Sequence, residues 1–262
     1  MDPFASSKSI QNSLPEDVSI SDRTIRKILL DEGYRSYKAK KKPHLKKCHI
    51  RDRIRFYDLF KNYGFEDFSK IIWSDESRIC LNYGDHPPLV RRPPNSSLDE
   101  KYLRPSSKYQ ISIMVWGWFS AFVLGPLQII DGTVNNQRYI DILENNLIPY
   151  INNKCGGQQI LFQDDNASCH RHRNVKNWMQ EKGINRIFWP AQSPDLNPIE
   201  NLWSFLKMKI NKYSPNSKKE LIMVAKRVWE NEIPTELIKN LVLSMEKRLI
   251  ALKNAKGKHI DY

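Results

Sequence analysis

The sequence predicts an α/β protein: a mixed sheet with helices on its faces. Three observations carry this. Strand-like segments come early, at 69–73, 78–83, 109–119 and 126–130, with Pro87, Pro88, Pro93, Pro94 and Pro105 marking a long loop between the second and third. Helix and strand signals then alternate: a helix over 135–151, a strand over 159–163, a helix over 171–182 and a strand over 185–188. Three helices close the chain. The first starts near Pro198 and keeps Ile199, Leu202, Trp203, Leu206 and Ile210 on one face; the others cover about 218–232 and 235–253.

Composition narrows the class. The 262 residues include 40% hydrophobic and 27% charged side chains and only 10 Gly, which excludes collagen, a wholly disordered chain and a disulfide-stapled miniprotein. Lys and Arg number 42 against 29 acids, a net charge of +13 that favours a polyanionic partner such as nucleic acid. That charge sits at the ends. Residues 35–55 carry ten basic groups and only Asp52 as an acid, residues 201–262 carry a further excess of cations, and the stretch between is nearly neutral. Such a layout suits an enzyme that grips a polyanion with its flanks and keeps carboxylates at its centre. Cys48, Cys80, Cys155 and Cys169 form no C-x-x-C pair, and no signal peptide opens the chain, so a reducing compartment is expected. The uncharged run 111–130 is long enough to span a bilayer, but its Gly, Pro and Ser and its Val, Ile, Trp and Phe content suit two buried strands joined by a turn. No membrane partner is expected.

Residues 1–18 read as loosely structured. Ser21 then caps a short helix through Glu32, with Ile25, Ile28 and Leu29 on one face, Arg23, Arg26 and Lys27 on another, and Gly33 as its stop. A short basic helix of this kind fits the recognition helix of a helix-turn-helix, and equally an ordinary surface helix. The stretch 38–47 has too few apolar residues to fold alone. Its Lys38, Lys40, Lys41, Lys42, Lys46 and Lys47 read either as an arm that contacts phosphates and doubles as a nuclear localisation signal, or as a solvated charge run. A helical pattern through Ile54, Tyr57 and Phe60 follows over 50–63.

Asp75 follows the apolar run Ile71-Ile72-Trp73, and Asp165 follows Ile160-Leu161-Phe162, so each is read as leaving the sheet at a strand end, where sites form in open α/β sheets. Glu200 lies at the start of a helix. Three carboxylates converging there offer hard oxygen ligands for Mg²⁺, and a pair of such ions can hold the attacking and leaving oxygens of a phosphoryl displacement. Each also has a local reading. Asn197 and Glu200 have capping-box spacing with Pro198 between them, and Asp75 and Glu76 fit a turn or a cap. Cys169, His170 and His172 lack a second ligand pair at zinc spacing and read as loop residues near the site.

Four ordered motifs then narrow the class further: Trp73-Ser74-Asp75-Glu76-Ser77, Val115-Trp116-Gly117-Trp118-Phe119-Ser120, Phe162-Gln163-Asp164-Asp165-Asn166-Ala167 and Ser193-Pro194-Asp195-Leu196-Asn197-Pro198-Ile199-Glu200. Together they resemble the marks of Tc/mariner transposases over roughly residues 20–262. The resemblance implies a ribonuclease H-like catalytic domain with an Asp-Asp-Glu triad placed on Asp75, Asp165 and Glu200. The 34 residues between the last two match the interval of the Tc branch. Asp164 stands where the family usually has glutamine, and Asn166 sets the register at Asp165.

The domains expected are a partial helix-turn-helix segment over 1–36, a basic linker and helix over 37–66, and the catalytic domain with its C-terminal helices over 67–262. Against the family pattern of two helix-turn-helix units, only the end of the second, 19–34, is read here. The implied activity is metal-dependent DNA cleavage and strand transfer into a TA dinucleotide, with Mg²⁺ as cofactor and Mn²⁺ as its substitute. The implied partner is double-stranded DNA, as transposon ends and target, with a homodimer compatible and the nucleus as location. The alternative is a catalytically silent DNA-binding protein derived from a transposase.

Overall fold

A computed structural model describes residues 5–15, 17–36, 42–81, 111–154 and 160–262. The expected proline-rich loop, Lys38, Lys40, Lys41 and Cys155 lie outside the described residues. The chain divides into two units, Met1–Pro43 and His44–Tyr262.

In the first unit, α1 (Ser7–Asn12) forms where a loose segment is expected. Its apolar content is low, but Ser6 Oγ caps it by accepting the Ser9 N–H, and Gln11 Nε2 donates to Ile20 O at 2.7 Å. Helix α2 (Asp22–Asp31) follows the sequence closely: Ser21 Oγ caps it, and Ile25 is its buried side chain. Gly33, at φ +81°, ends it. Its N–H reaches Leu30 O and the Tyr34 N–H reaches Leu29 O, the paired bonds of a Schellman stop that needs a left-handed residue.

The second unit opens with α3 (Lys47–Phe60) and α4 (Phe65–Phe68), so Lys46 and Lys47 stand at a helix start rather than inside a linker. Strands β1 (Ile71–Cys80), β2 (Ser112–Phe119) and β3 (Gln128–Ile130) form an antiparallel meander, and β4 (Ile160–Gln163) and β5 (Ile184–Arg186) add parallel to β1, giving the order β3-β2-β1-β4-β5. The run 111–130 is therefore two sheet strands, and no helix among the described residues is long and apolar enough to cross a membrane. Helices α5 (Asn136–Asn146) and α6 (Ile148–Lys154) replace the single helix expected over 135–151. Pro149 has no N–H to bond back into α5, so the helix breaks at Leu147. Helices α7 (Ser168–Arg171) and α8 (Arg173–Glu181) are likewise split by His172, whose backbone is extended. A 3-10 turn (Pro194–Leu196), α9 (Ile199–Tyr213), α10 (Lys218–Asn231) and α11 (Thr235–Asn254) complete the unit.

Two cores flank the sheet. One gathers Ile71, Trp73, Ile79 and Val115 with α3 and α9 to α11; the other gathers Ile72, Trp116, Trp118 and Phe162 with α5 and α8. Side chains alternate along a strand, so odd residues of β1 face α9 and even ones face α5 and α8.

Candidate functional site

Asp75 does not sit at a strand end. Strand β1 runs unbroken through Ser74, Asp75, Glu76 and Ser77, paired with Trp118, Gly117, Trp116 and Val115 of β2. The end expected there belongs to β4, which stops at Gln163 opposite Trp73. Asp75 lies past the last β4 pairing on that edge. Gln163 ties β1 just before it: the Ser74 N–H donates to Gln163 Oε1 at 3.2 Å, and Ser74 Oγ donates to Gln163 O at 2.8 Å.

Asp75 faces the α9 side, where Glu200 stands in the first turn of α9. Burial raises the Asp75 carboxyl well above the usual carboxylate range, and the neighbouring charges of Glu200, Glu76 and Asp165 raise it further. Burial also raises Glu200, with the Lys207 cation opposing it. The capping-box role does not apply to Glu200, because the Asn197 N–H it would serve already donates to Pro194 O at 3.0 Å. Asn197 does the local work: its Oδ1 accepts the Ile199 N–H, and its Nδ2 donates to Ser74 O, both at 3.3 Å.

Asp165 lies two residues beyond β4 and is half-exposed. Its Oδ1 accepts the Ala167 N–H at 2.8 Å and lies 2.7 Å from His170 Nδ1. Burial works to raise the Asp165 carboxyl, but His170, the Ala167 N–H and Arg171 together hold it below its ordinary value. His170 is buried, stacks on Tyr139 at 3.9 Å between ring centroids, and places Nε2 3.4 Å from Glu76 Oε1. Burial alone would lower the imidazole. Asp165 and Glu76 override it and push His170 up to about 11, so it is a cation at neutral pH. These are charge contacts rather than aligned hydrogen bonds, since neither His170 Nδ1 nor Glu76 Oε1 gains a hydrogen-bond partner.

Asp164 points elsewhere. It is buried, 2.8 Å from Arg186 and 3.2 Å from the Tyr139 hydroxyl, and burial pushes it up to about 6 against the pull of Arg186 and His170.

The sequence reading has His170 as a loop residue near the site and Glu76 as a turn or cap residue, and gives no role to Tyr139 or Arg186. Only Glu76 and His170 lay close to the motifs, and nothing local marks the other two.

The donor set is all carboxylate oxygen, and the unbalanced negative charge around Asp75 suits a hard dication. Among the described residues, however, no group of three His, Cys, Asp or Glu side chains is gathered so that it could hold a metal as it stands. Asp165 is the one held by other partners.

Of the predicted DNA-contacting cations, Arg23, Arg26 and Lys27 are exposed on α2, with Arg26 engaged by Asp22 at 2.5 Å and by Ser7 Oγ at 3.1 Å. Lys42, Lys46 and Lys47 are exposed. Two other members of the basic stretch are not simple surface charges. Arg53 is fully buried and makes a bidentate pair with Asp195, both bonds 2.7 Å, while Arg55 lies over the Phe188 ring at 4.5 Å.

A five-stranded mixed sheet of this order, with Asp75 on its central strand, is a ribonuclease H-like fold. The family described as DDE superfamily endonuclease matches residues 70–222, and a helix-turn-helix family described as transposase matches residues 1–61. The Transposable element Tcb1 transposase of Caenorhabditis briggsae is 33% identical over 264 residues, covering 100% of this chain and 96% of that protein. Two solved structures share the fold at 17% identity and a TM-score of 0.78: a Mos1 transposase paired-end complex with the left transposon end, and a Mos1 mariner paired-end complex with Mn. Each covers 99% of this chain, and 76% and 77% of the respective Mos1 chains. The chain belongs to the Tc/mariner transposases, within the DDE superfamily endonucleases, and is a divalent-metal-dependent enzyme of that class.

Proposed function

We propose that Asp75, Asp165 and Glu200 are the catalytic carboxylates of this transposase and hold Mg²⁺, with Mn²⁺ able to substitute. The observation that carries the reading is the charge crowding at Asp75: its carboxyl is raised by burial and then by three acidic neighbours, Glu200, Glu76 and Asp165, gathered around one strand position. A divalent cation bound there supplies positive charge to the attacking and leaving oxygens of a phosphodiester. Asp75 and Glu200 are presented from a central strand and a helix start, so their backbones are fixed before DNA arrives. His170 holds Asp165 ionised and ready to exchange a protein cation for the metal.

The reaction supported by this site and this family is cut-and-paste transposition. Water attacks a phosphodiester at the element end and the bond from phosphorus to the 3′ oxygen breaks; the freed 3′-hydroxyl then attacks a phosphodiester of target DNA, expected at a TA dinucleotide, and the target's own bond from phosphorus to its 3′ oxygen breaks, leaving a target 3′-hydroxyl. The 33% identity to a whole transposase and the intact acidic residues favour this enzyme over a silent DNA-binding derivative. Lys38, Lys40, Lys41, Lys42, Lys46 and Lys47 supply phosphate contacts, and Arg23, Arg26 and Lys27 meet the duplex from α2. A homodimer is the simplest assembly that joins two element ends, and the basic run 38–47 supports a nuclear location.

The deciding assay is Mg²⁺-dependent nicking of a labelled element end. Asp165→Asn keeps shape, removes a ligand, and is expected to abolish cleavage with little loss of DNA affinity. An active Asp165→Asn beside a folded but inactive Asp164→Asn would move the site by one residue and overturn the assignment.

A further inference from the structure

The segment from Ser193 to Glu200 contains one turn of 3-10 helix and no strand, yet Ser193 and every residue from Asp195 to Ile199 are buried. An irregular buried segment has no ladder to fix it, so its place depends on side-chain anchors. Two anchors stand out. Asp195 is gripped from outside the segment: Arg53 of α3 pairs with both carboxylate oxygens at 2.7 Å, the Ile260 N–H donates to Oδ2 at 2.9 Å, and Arg248 of α11 donates to the Asp195 carbonyl at 2.7 Å. Arg248 also reaches Asn201 Oδ1 at 2.6 Å, one residue past Glu200. Arg53 is held in turn by the Gly257 and Lys258 carbonyls at 2.9 and 3.0 Å. Asn197 grips the sheet. Its Nδ2 bonds Ser74 O, next to Asp75, and its Oδ1 takes the Ile199 N–H, next to Glu200.

We infer that Asn197 and Asp195 are positioning residues that set where Glu200 stands relative to Asp75, Asn197 through the sheet and Asp195 through Arg53 and Arg248. The inference rests on the reading of Glu200 as a metal ligand. The chemistry explains the residue types. A single side chain that must donate to a carbonyl and accept from an N–H, at the reach of this gap, calls for a short amide. Asp195 needs two carboxylate oxygens to meet a guanidinium fork while also receiving a backbone N–H. Outer partners of this kind fix the orientation of metal ligands, and their loss typically costs about ten- to a hundredfold in metal affinity or activity.

The test is Mn²⁺ binding to the full chain by electron paramagnetic resonance, with steady-state cleavage alongside, for the parent, Asn197→Ala, Asp195→Asn and Glu200→Gln. Asn197→Ala leaves the Arg53 pair intact and is expected to weaken Mn²⁺ about tenfold or more. It is also expected to lower kcat at limiting Mn²⁺, with the KM for duplex unchanged and the kcat loss reduced by excess Mn²⁺. Thermal melts establish that each variant is folded. Should Asn197→Ala not fold, Asn197→Ser carries the test, since its hydroxyl caps Ile199 but is too short for Ser74 O. Parent-like Mn²⁺ affinity in the folded Asn197 variant beside a loss in Glu200→Gln overturns the positioning role. Parent-like affinity in Glu200→Gln instead removes the assignment of Glu200 as a ligand, and the positioning role falls with it.

Discussion

Asp75 and Gly117 stand directly opposite each other across β1 and β2, and the bare Cα of Gly117 lets the stacked indoles of Trp203 and Trp229 close over the sheet beside the acid. A Cβ at position 117 would lie 2.9 Å from Trp203 and 3.0 Å from Trp229, both aromatic carbons held in a core. Gly117→Ala is therefore expected to lower stability by about 1–3 kcal/mol, the range for overpacking. Because Trp203 lies on the helix that carries Glu200, cleavage should fall as well. Urea denaturation and the nicking assay read the two effects; an unchanged urea midpoint would show that the indoles yield freely.

Asp164 and Asp165 are adjacent in sequence and differ in what they support. Asp164→Asn removes a carboxylate that burial already pushes up to about 6, and Arg186 keeps its bond to His170 O, so stability is expected to change little while the protein keeps its Mn²⁺ affinity. Asp165→Asn takes the carboxylate from the buried His170 cation and is expected to lower both stability and Mn²⁺ affinity. Denaturation curves and Mn²⁺ titrations on both variants separate the roles.

Asp195 gives an acid dependence whose sign follows from its partners. Burial works to raise its carboxyl, but Arg53, the Ile260 N–H and the nearby His259 hold it below its ordinary value. A depressed carboxylate stabilises the fold fully above its unfolded value near 4, and that stability is lost as pH falls through the folded value. The gap in urea midpoint between the parent and Asp195→Asn should therefore be widest above about pH 4 and narrow below it. A gap independent of pH would contradict the pairing.

DNA affinity should reflect the cations of the basic stretch. Replacing Lys40, Lys41 and Lys42 by Ala is expected to weaken binding to all duplexes alike and to flatten the salt dependence by about 0.9 in log–log slope per lost contact. Arg53 is buried and should add nothing to that slope. Fluorescence anisotropy across a salt series, on element-end and scrambled duplexes, measures this. A loss confined to the element end would indicate groove reading instead.

Much of this was legible from the sequence, and the exceptions have physical causes. The order of strands and helices and the cap and stop of α2 follow from local rules. The polar run Ser74 to Ser77 read as a break because strand interiors are usually apolar, yet β2 pairs through it and the sheet carries its acid mid-strand. Arg53 is counted in the sequence only as one of the basic groups of 35–55, because its partner Asp195 is 142 residues away. Tyr139 and Arg186 were invisible for the same reason: their roles exist only once β4, α5 and β5 come together.

The sheet also separates the supports of the acids. Asp75 and Glu200 lean on the core of Trp203 and Trp229, while Glu76 and His170 belong to the face of Tyr139 and Val175. Changes on opposite faces share no packing partners, so their effects on stability should add, whereas changes within one face should couple. A lineage could therefore revise one wall of the site by small steps without re-optimising the other, and the two walls can drift at different rates while the acids between them stay fixed.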